Sequence, residues 1–234
     1  IVGGPDKDLL VTTGDYDHDR VVGDNGTAKY LNDGRLELTS TDIADVESGV
    51  QADTIKTGVN NDIVIAGNGS DIVQSGEGDD LLFGDNAKVL LNGDQVIGLD
   101  APEFDPHNTP GILLLTPAIG GDDCLNGGVD DDIIYGEGGD DRFVFSGNGL
   151  GHDFLIESDG NQNIPNDDMD VLDFSDFGSG ITMDLEADSA PSILGDSSTI
   201  SLKQGRRRRG SDTPNYYQSA VDLALTLYYN DGFE

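Results

Sequence analysis

The chain has one cysteine, no tryptophan and two methionines in 234 residues. A lone Cys124 excludes an intrachain disulfide. A secreted protein of this length must then be held by something else, and bound metal is one candidate. Basic residues are also scarce. Lys and Arg number 12 against 46 Asp and Glu, for a net charge of −34. This all but excludes nucleic acid, because neutralising phosphate needs Lys and Arg. It disfavours an anionic membrane surface for the same reason. Hydrophobic residues make up 35 %, below the roughly 45–50 % of ordinary domains. A thick apolar core is therefore not expected. No apolar run reaches transmembrane length, and no N-terminal signal peptide is visible. The chain begins at Ile1 and reads as a processed product or a piece of something longer. Two classes remain: a disordered acidic polymer, or a fold that takes cations into its structure.

Glycine and aspartate are abundant, and they are ordered. Asp53, Asp62, Asp71 and Asp80 are nine residues apart, as are Asp123, Asp132 and Asp141. Two residues after each stands an apolar residue, here called U: Ile55, Val64, Val73, Leu82, Leu125, Ile134 and Phe143. Glycines precede them, so the unit reads G-x-G-x-D-x-U-x. Glycine permits φ > 0 and a tight turn whose carbonyls point to one place. The Asp adds carboxylate oxygen, and a hard cation such as Ca²⁺ takes six to eight such ligands. The x-U-x triplet then runs as a short strand with U inward. Two units make one coil, so each Asp is expected to share an ion with the Asp two units on.

The segments GNGSDIVQSGEGDDLLFG (67–84) and GGVDDDIIYGEGGDDRFVF (127–145) resemble RTX nonapeptide repeats, the haemolysin-type calcium-binding family. The resemblance implies a parallel β-roll that folds when calcium is available outside the cell. It also implies export by type I secretion from a Gram-negative bacterium. The expected calcium ligands are Asp8, Asp19, Asp53, Asp62, Asp71, Asp80, Asp123, Asp132 and Asp141. The turn glycines are Gly58, Gly67, Gly69, Gly76, Gly78, Gly121, Gly128, Gly136 and Gly138. The first two matched units depart from the pattern: Gln51 and Asn60 replace the second glycine. Asn tolerates the left-handed conformation and Gln does not.

A longer period overlies the short one. Gly-Asp-Asn occurs at 23–25 and at 84–86, 61 residues apart. Each triplet is followed by an apolar run, an Asn/Asp/Gly turn and a second run, which reads as a β-hairpin. The expected fold is all-β: a parallel β-roll interrupted by β-hairpin insertions, with a C-terminal β cap. Roll segments are expected at 1–26, 49–87 and 118–146, and insertions at 27–48 and 88–117. A capping flank is expected at 147–190 and an irregular tail at 191–234. If the roll stacks through both insertions, nine units make seven shared sites; if the insertions break it, three survive. The residues just before U (Ile63, Ile72, Leu81, Ile133 and Cys124) form an outward apolar stripe that the hairpins could cover.

Other candidates are weaker. Asp15, Asp17 and Asp19 spell the start of an EF-hand loop, but Arg20 and Gly26 stand where Gly and Glu are required. Asp159, Asn161, Asn163, Asp167 and Asp170 have ligand spacing, with Ile164 in the glycine position. His18, His107 and His152 are scattered and form no zinc motif. Cys124 reads as an apolar filler. The tail holds five of the twelve basic residues, including Arg206 to Arg209. No nucleophile elbow, P-loop or dinucleotide motif is present. The expected function is a non-enzymatic, extracellular or cell-surface calcium-binding roll with a structural or adhesive role. Its partners are calcium ions and other domains of a larger parent, with no nucleic acid and no membrane span. The alternative is the calcium-binding part of a secreted protease, lipase or epimerase.

Overall fold

A computed structural model describes residues 1–14, 17–41, 51–99, 109–115, 120–147, 150–157, 170–176, 185–187, 196–203 and 221–229. The x-U-x triplets are too short to bend, and glycine turns separate them, so the chain winds as a flattened coil. Its two long sides are parallel sheets. One contains β1 (Leu9–Val11), β5 (Thr54–Lys56), β7 (Ile72–Glu77), β12 (Cys124–Val129), β14 (Arg142–Val144) and β16 (Val171–Asp173), in that order. The facing sheet runs β2 (Arg20–Val22), β6 (Ile63–Ile65), β8 (Leu81–Phe83), β13 (Ile133–Glu137) and β15 (His152–Glu157). No helix occurs among the described residues. The fold is an all-β parallel roll.

The register follows the nonapeptide. Ile55 lies beside Val73, Val73 beside Leu125, and Leu125 beside Phe143. On the other side Val64, Leu82 and Ile134 align in the same way. All seven U residues are buried in one core with Val21 and Leu155. That core is a single row of side chains per sheet, which accounts for the low hydrophobic content.

The two insertions join. β3 (Gly26–Tyr30) and β4 (Leu36–Ser40) form an antiparallel hairpin. β9 (Ala87–Asn92) and β10 (Gln95–Val96) form the second, and β11 (Ile112–Leu114) returns along β9. β4 pairs with β9, Leu38 opposite Val89, so both insertions make one five-stranded sheet. Its inner face, with Leu38, Val89, Leu91 and Val96, packs on Ile63, Ile65, Leu81, Phe83 and Tyr135. The expected cover over the outward stripe is thus present on the β6–β8–β13 side. It does not extend to the other sheet, where Ile72 is exposed and Cys124 half-buried.

The tail departs from expectation. Residues 191–234 were expected to be irregular, yet β18 (Asp196–Lys203) and β19 (Val221–Tyr229) are strands within them. β19 pairs in parallel with β15. β18 and β17 (Leu185–Ala187) follow in antiparallel order. The physical reason is the open edge of β15, which needs a partner for its backbone groups. The alternation Val221, Leu223, Leu225, Leu227 carried the signal. On the opposite sheet the roll ends with β16 and with Phe174 stacked on Phe145, ring centroids 4.8 Å apart. Arg206 to Arg209 lie outside the described residues.

Candidate metal-binding turns

Each register Asp sits at the turn immediately before its strand. Its backbone N–H donates to the carboxylate of the Asp one coil further on. Before the open sheet the ladder runs from Asp8 to Asp53 (2.7 Å), Asp71 (2.6 Å), Asp123 (2.7 Å), Asp141 (2.8 Å) and Asp170 (3.1 Å). Before the covered sheet it runs from Asp19 to Asp62 (2.8 Å), Asp80 (2.8 Å), Asp132 (2.9 Å) and Asp153 (3.1 Å). All seven expected pairs are in contact, so the stack passes through both insertions. Asp153 and Asp170 add two rungs beyond the nine units. Asp153 was legible in G-L-G-H-D-F-L, a full unit placed twelve rather than nine residues after Asp141. Asp170 carries only the D-x-U half of the signal. Asp15, Asp159, Asn161, Asn163 and Asp167 lie outside the described residues.

Those bonds use Oδ1. The Oδ2 atoms of Asp53, Asp71, Asp80, Asp123, Asp132 and Asp141 are buried and have no hydrogen-bond partner among the described residues. Backbone carbonyls stand beside them. A Cβ added to Gly23 would collide with Asp53 Oδ2 and the Ala66 carbonyl oxygen. One added to Gly84 would meet Asp123 Oδ2 and the Gly136 carbonyl oxygen. These are pockets of oxygen left open by glycine. Burial raises the carboxyl groups: Asp53 to about 6, Asp80 to about 7, Asp153 to about 8 and Asp132 to about 9. Desolvation likewise pushes Asp62, Asp71, Asp123 and Asp141 upward, and neighbouring carboxylates add to it. None of the ion pairs among the described residues involves a ladder carboxylate. Buried anions without cations or donors are costly. An oxygen-liganded cation removes that cost and takes mixed carboxylate and carbonyl shells. Among the described residues no three His, Cys, Asp or Glu side chains form a metal cluster. Carbonyl oxygens must therefore complete any shell here.

The glycines divide. Gly67, Gly69, Gly76, Gly78 and Gly128 have φ between 114° and 125°. Gly58 and Gly121 are not left-handed; a side chain on Gly121 would strike the Gly69 carbonyl. Gly136 and Gly138 are not left-handed either, although the Gly136 carbonyl stands beside Asp123 Oδ2. The left-handed positions of that turn are Glu137 (φ 76°) and Gly139 (φ 119°). Counting back four and two residues from Asp141 gives these two, and the glycine run G-E-G-G hid the register. Asn60 takes the left-handed place at φ 73°, and its buried Nδ2 has no partner. Asn60→Gly should therefore stabilise the calcium-loaded roll by about 0.5–1 kcal/mol. Thermal melting checks this; a loss of stability would contradict it.

Residues 48–86 and 118–155 match the RTX calcium-binding nonapeptide repeat, in four copies. The chain carries RTX calcium-binding nonapeptide repeats. The RTX match covers the two blocks in which the ladder aspartates fall nine apart. The N-terminal rungs at Asp8 and Asp19 lie outside it and are joined to it by the same hydrogen bonds. A comparison with curated proteins found no match. Among the described residues no helix is long and apolar enough to cross a membrane.

The Gly-Asp-Asn triplets mark where the RTX roll opens to release an insertion. Thr41 N–H returns to the Asn25 carbonyl and Leu115 N–H to the Asn86 carbonyl, each at 2.8 Å. Asp24 Oδ2 accepts the Asn68 N–H of the next turn at 2.5 Å. Asp85 accepts Gly121 N–H with Oδ1 and Gly138 N–H with Oδ2, both at 3.2 Å. The Asp side chain thus closes the neck that the interrupted backbone leaves open.

Proposed function

We propose that this calcium-binding roll is an extracellular structural or adhesive module, not a catalytic one, that folds where calcium is plentiful. The observation that carries the reading is the pair of carboxylate ladders in which the Oδ2 atoms of Asp53, Asp71, Asp80, Asp123, Asp132 and Asp141 are buried and unpartnered among the described residues. Such turns repel one another until a cation enters, so the chain is held open for export where calcium is scarce. The residues that would hold calcium are Asp53, Asp62, Asp71, Asp80, Asp123, Asp132 and Asp141, with the turn carbonyls. Bound calcium supplies positive charge and oxygen coordination that cross-link successive coils. The net charge of −34 exceeds what these ions neutralise and keeps the loaded roll soluble.

Limited proteolysis across a calcium titration tests the reading. Protection should appear at about 10⁻⁴–10⁻³ M, the range of extracellular calcium modules. Full protection below about 1 µM would place folding inside the cell and sink the proposal. Asp80→Asn should raise the midpoint several-fold, whereas Asp79→Asn, on the exposed neighbour, should not.

A further inference from the structure

Glu137 occupies a position where the repeat asks for glycine. It stands five residues after Asp132, as Gly67 stands after Asp62 and Gly76 after Asp71. Its backbone is left-handed, at φ 76°, where a side chain is unfavourable. It is only 1 % exposed, and neither carboxylate oxygen has a hydrogen-bond partner. The two other acidic residues at this position in the same turn column are Asp24 and Asp85. Both accept backbone N–H groups at the necks of the insertions. No insertion leaves the roll at Glu137: its turn continues directly to Asp141 and β14. So the neck-closing role does not account for it. Its carboxylate faces the negative charges of Asp85 and Asp141 instead, and burial and both neighbours push its protonation upward. A left-handed backbone and a buried, unpartnered charge are two separate penalties on one residue. A cation offsets the second, and a function that needs the carboxylate there accounts for the first being tolerated.

We propose that Glu137 is a calcium ligand additional to the nonapeptide set, its carboxylate joining the free Oδ2 of Asp141 on one cation in the turn column before the open sheet. This rests on the calcium-binding reading of the roll. It divides the turns into two kinds. The Glu137 site has carboxylates from two positions of the repeat, while its counterparts before the covered sheet have glycine there, at Gly76 and Gly128. More ligand charge means tighter binding, so this site fills first on titration and sets the order of assembly from the C-terminal coils.

Calorimetric calcium titration of the full chain tests the inference, with Glu137→Gln, Glu137→Gly and Asp80→Asn compared to the natural sequence. Glu137→Gln keeps the shape and removes the charge. Glu137→Gly restores the repeat and removes the strain. Both should weaken the tightest class of sites by at least about tenfold. In metal-free buffer at about pH 4.5, where the roll stays folded, Glu137→Gly should be no less stable than the natural chain, because the backbone strain is gone. Superimposable isotherms for the Glu137 variants and the natural chain, with Asp80→Asn weakened, would overturn the inference and leave the calcium reading standing. A natural chain that binds no calcium would overturn both.

Discussion

Stripped of metal at about pH 7.5, the chain should lose its β-sheet circular dichroism, and added calcium should restore it. The sign of the pH effect follows from the raised carboxyl groups. Asp80 is raised to about 7, Asp153 to about 8 and Asp132 to about 9. An unfolded aspartate titrates near 3.9. Between these limits the folded chain binds more protons than the unfolded one, so stability falls as pH rises. The metal-free roll should therefore be most stable near pH 4 and lose that stability from about pH 4 to 9. Calcium reverses the dependence, because a cation takes the place of the protons. Its apparent affinity should rise with pH across the same window, with protons released on binding. Melting curves at about pH 4.5 and 7.5, with and without calcium, decide the matter. A metal-free chain that is more stable at the higher pH would refute the account.

The second large effect concerns the inserted sheet. Phe83→Ala should destabilise the calcium-loaded protein by about 3–5 kcal/mol. Phe83 is fully buried between roll and insertion and stacks on Tyr135, centroids 4.9 Å apart. Ile72→Ala, at the matching outward position of the open sheet, should cost less than about 1 kcal/mol. Ile72 is 44 % exposed, and no described strand covers it. Urea unfolding in saturating calcium measures both. Equal losses would mean that the inserted sheet does not cover the β6–β8–β13 face in solution.

That asymmetry was half written in the chain. Strands of the covered sheet carry apolar residues on both sides of U: Ile63 and Ile65, Leu81 and Phe83, Ile133 and Tyr135. Strands of the open sheet carry Thr54 and Lys56, or Ile72 and Gln74. Reading only the residue before U groups Ile72 with Ile63 and misses the division. Reading both sides separates β6, β8 and β13 from β5 and β7, because a buried outer face needs apolar residues on each side. The first coil departs from this, with Leu9 and Val11 exposed on β1 and the charged Arg20 standing before U on β2.

The coil, its inward residues and the carboxylates of its turns are legible in the chain before it folds. These follow from a nine-residue period, which is local: Gly, Asp and U act within one unit whatever surrounds it. How far the stack continues is settled in the folded molecule. Whether Asp8 meets Asp53, or Asp71 meets Asp123, depends on where the ends of a long insertion return, and no local rule contains that distance. The same holds for β4 beside β9, and for β19 beside β15. Pairing between remote strands is chosen by which open edge is left to cover. Glu137 belongs to both accounts. Its place in the repeat is a matter of counting, but its lack of a partner is visible only once the neighbouring turns stand around it.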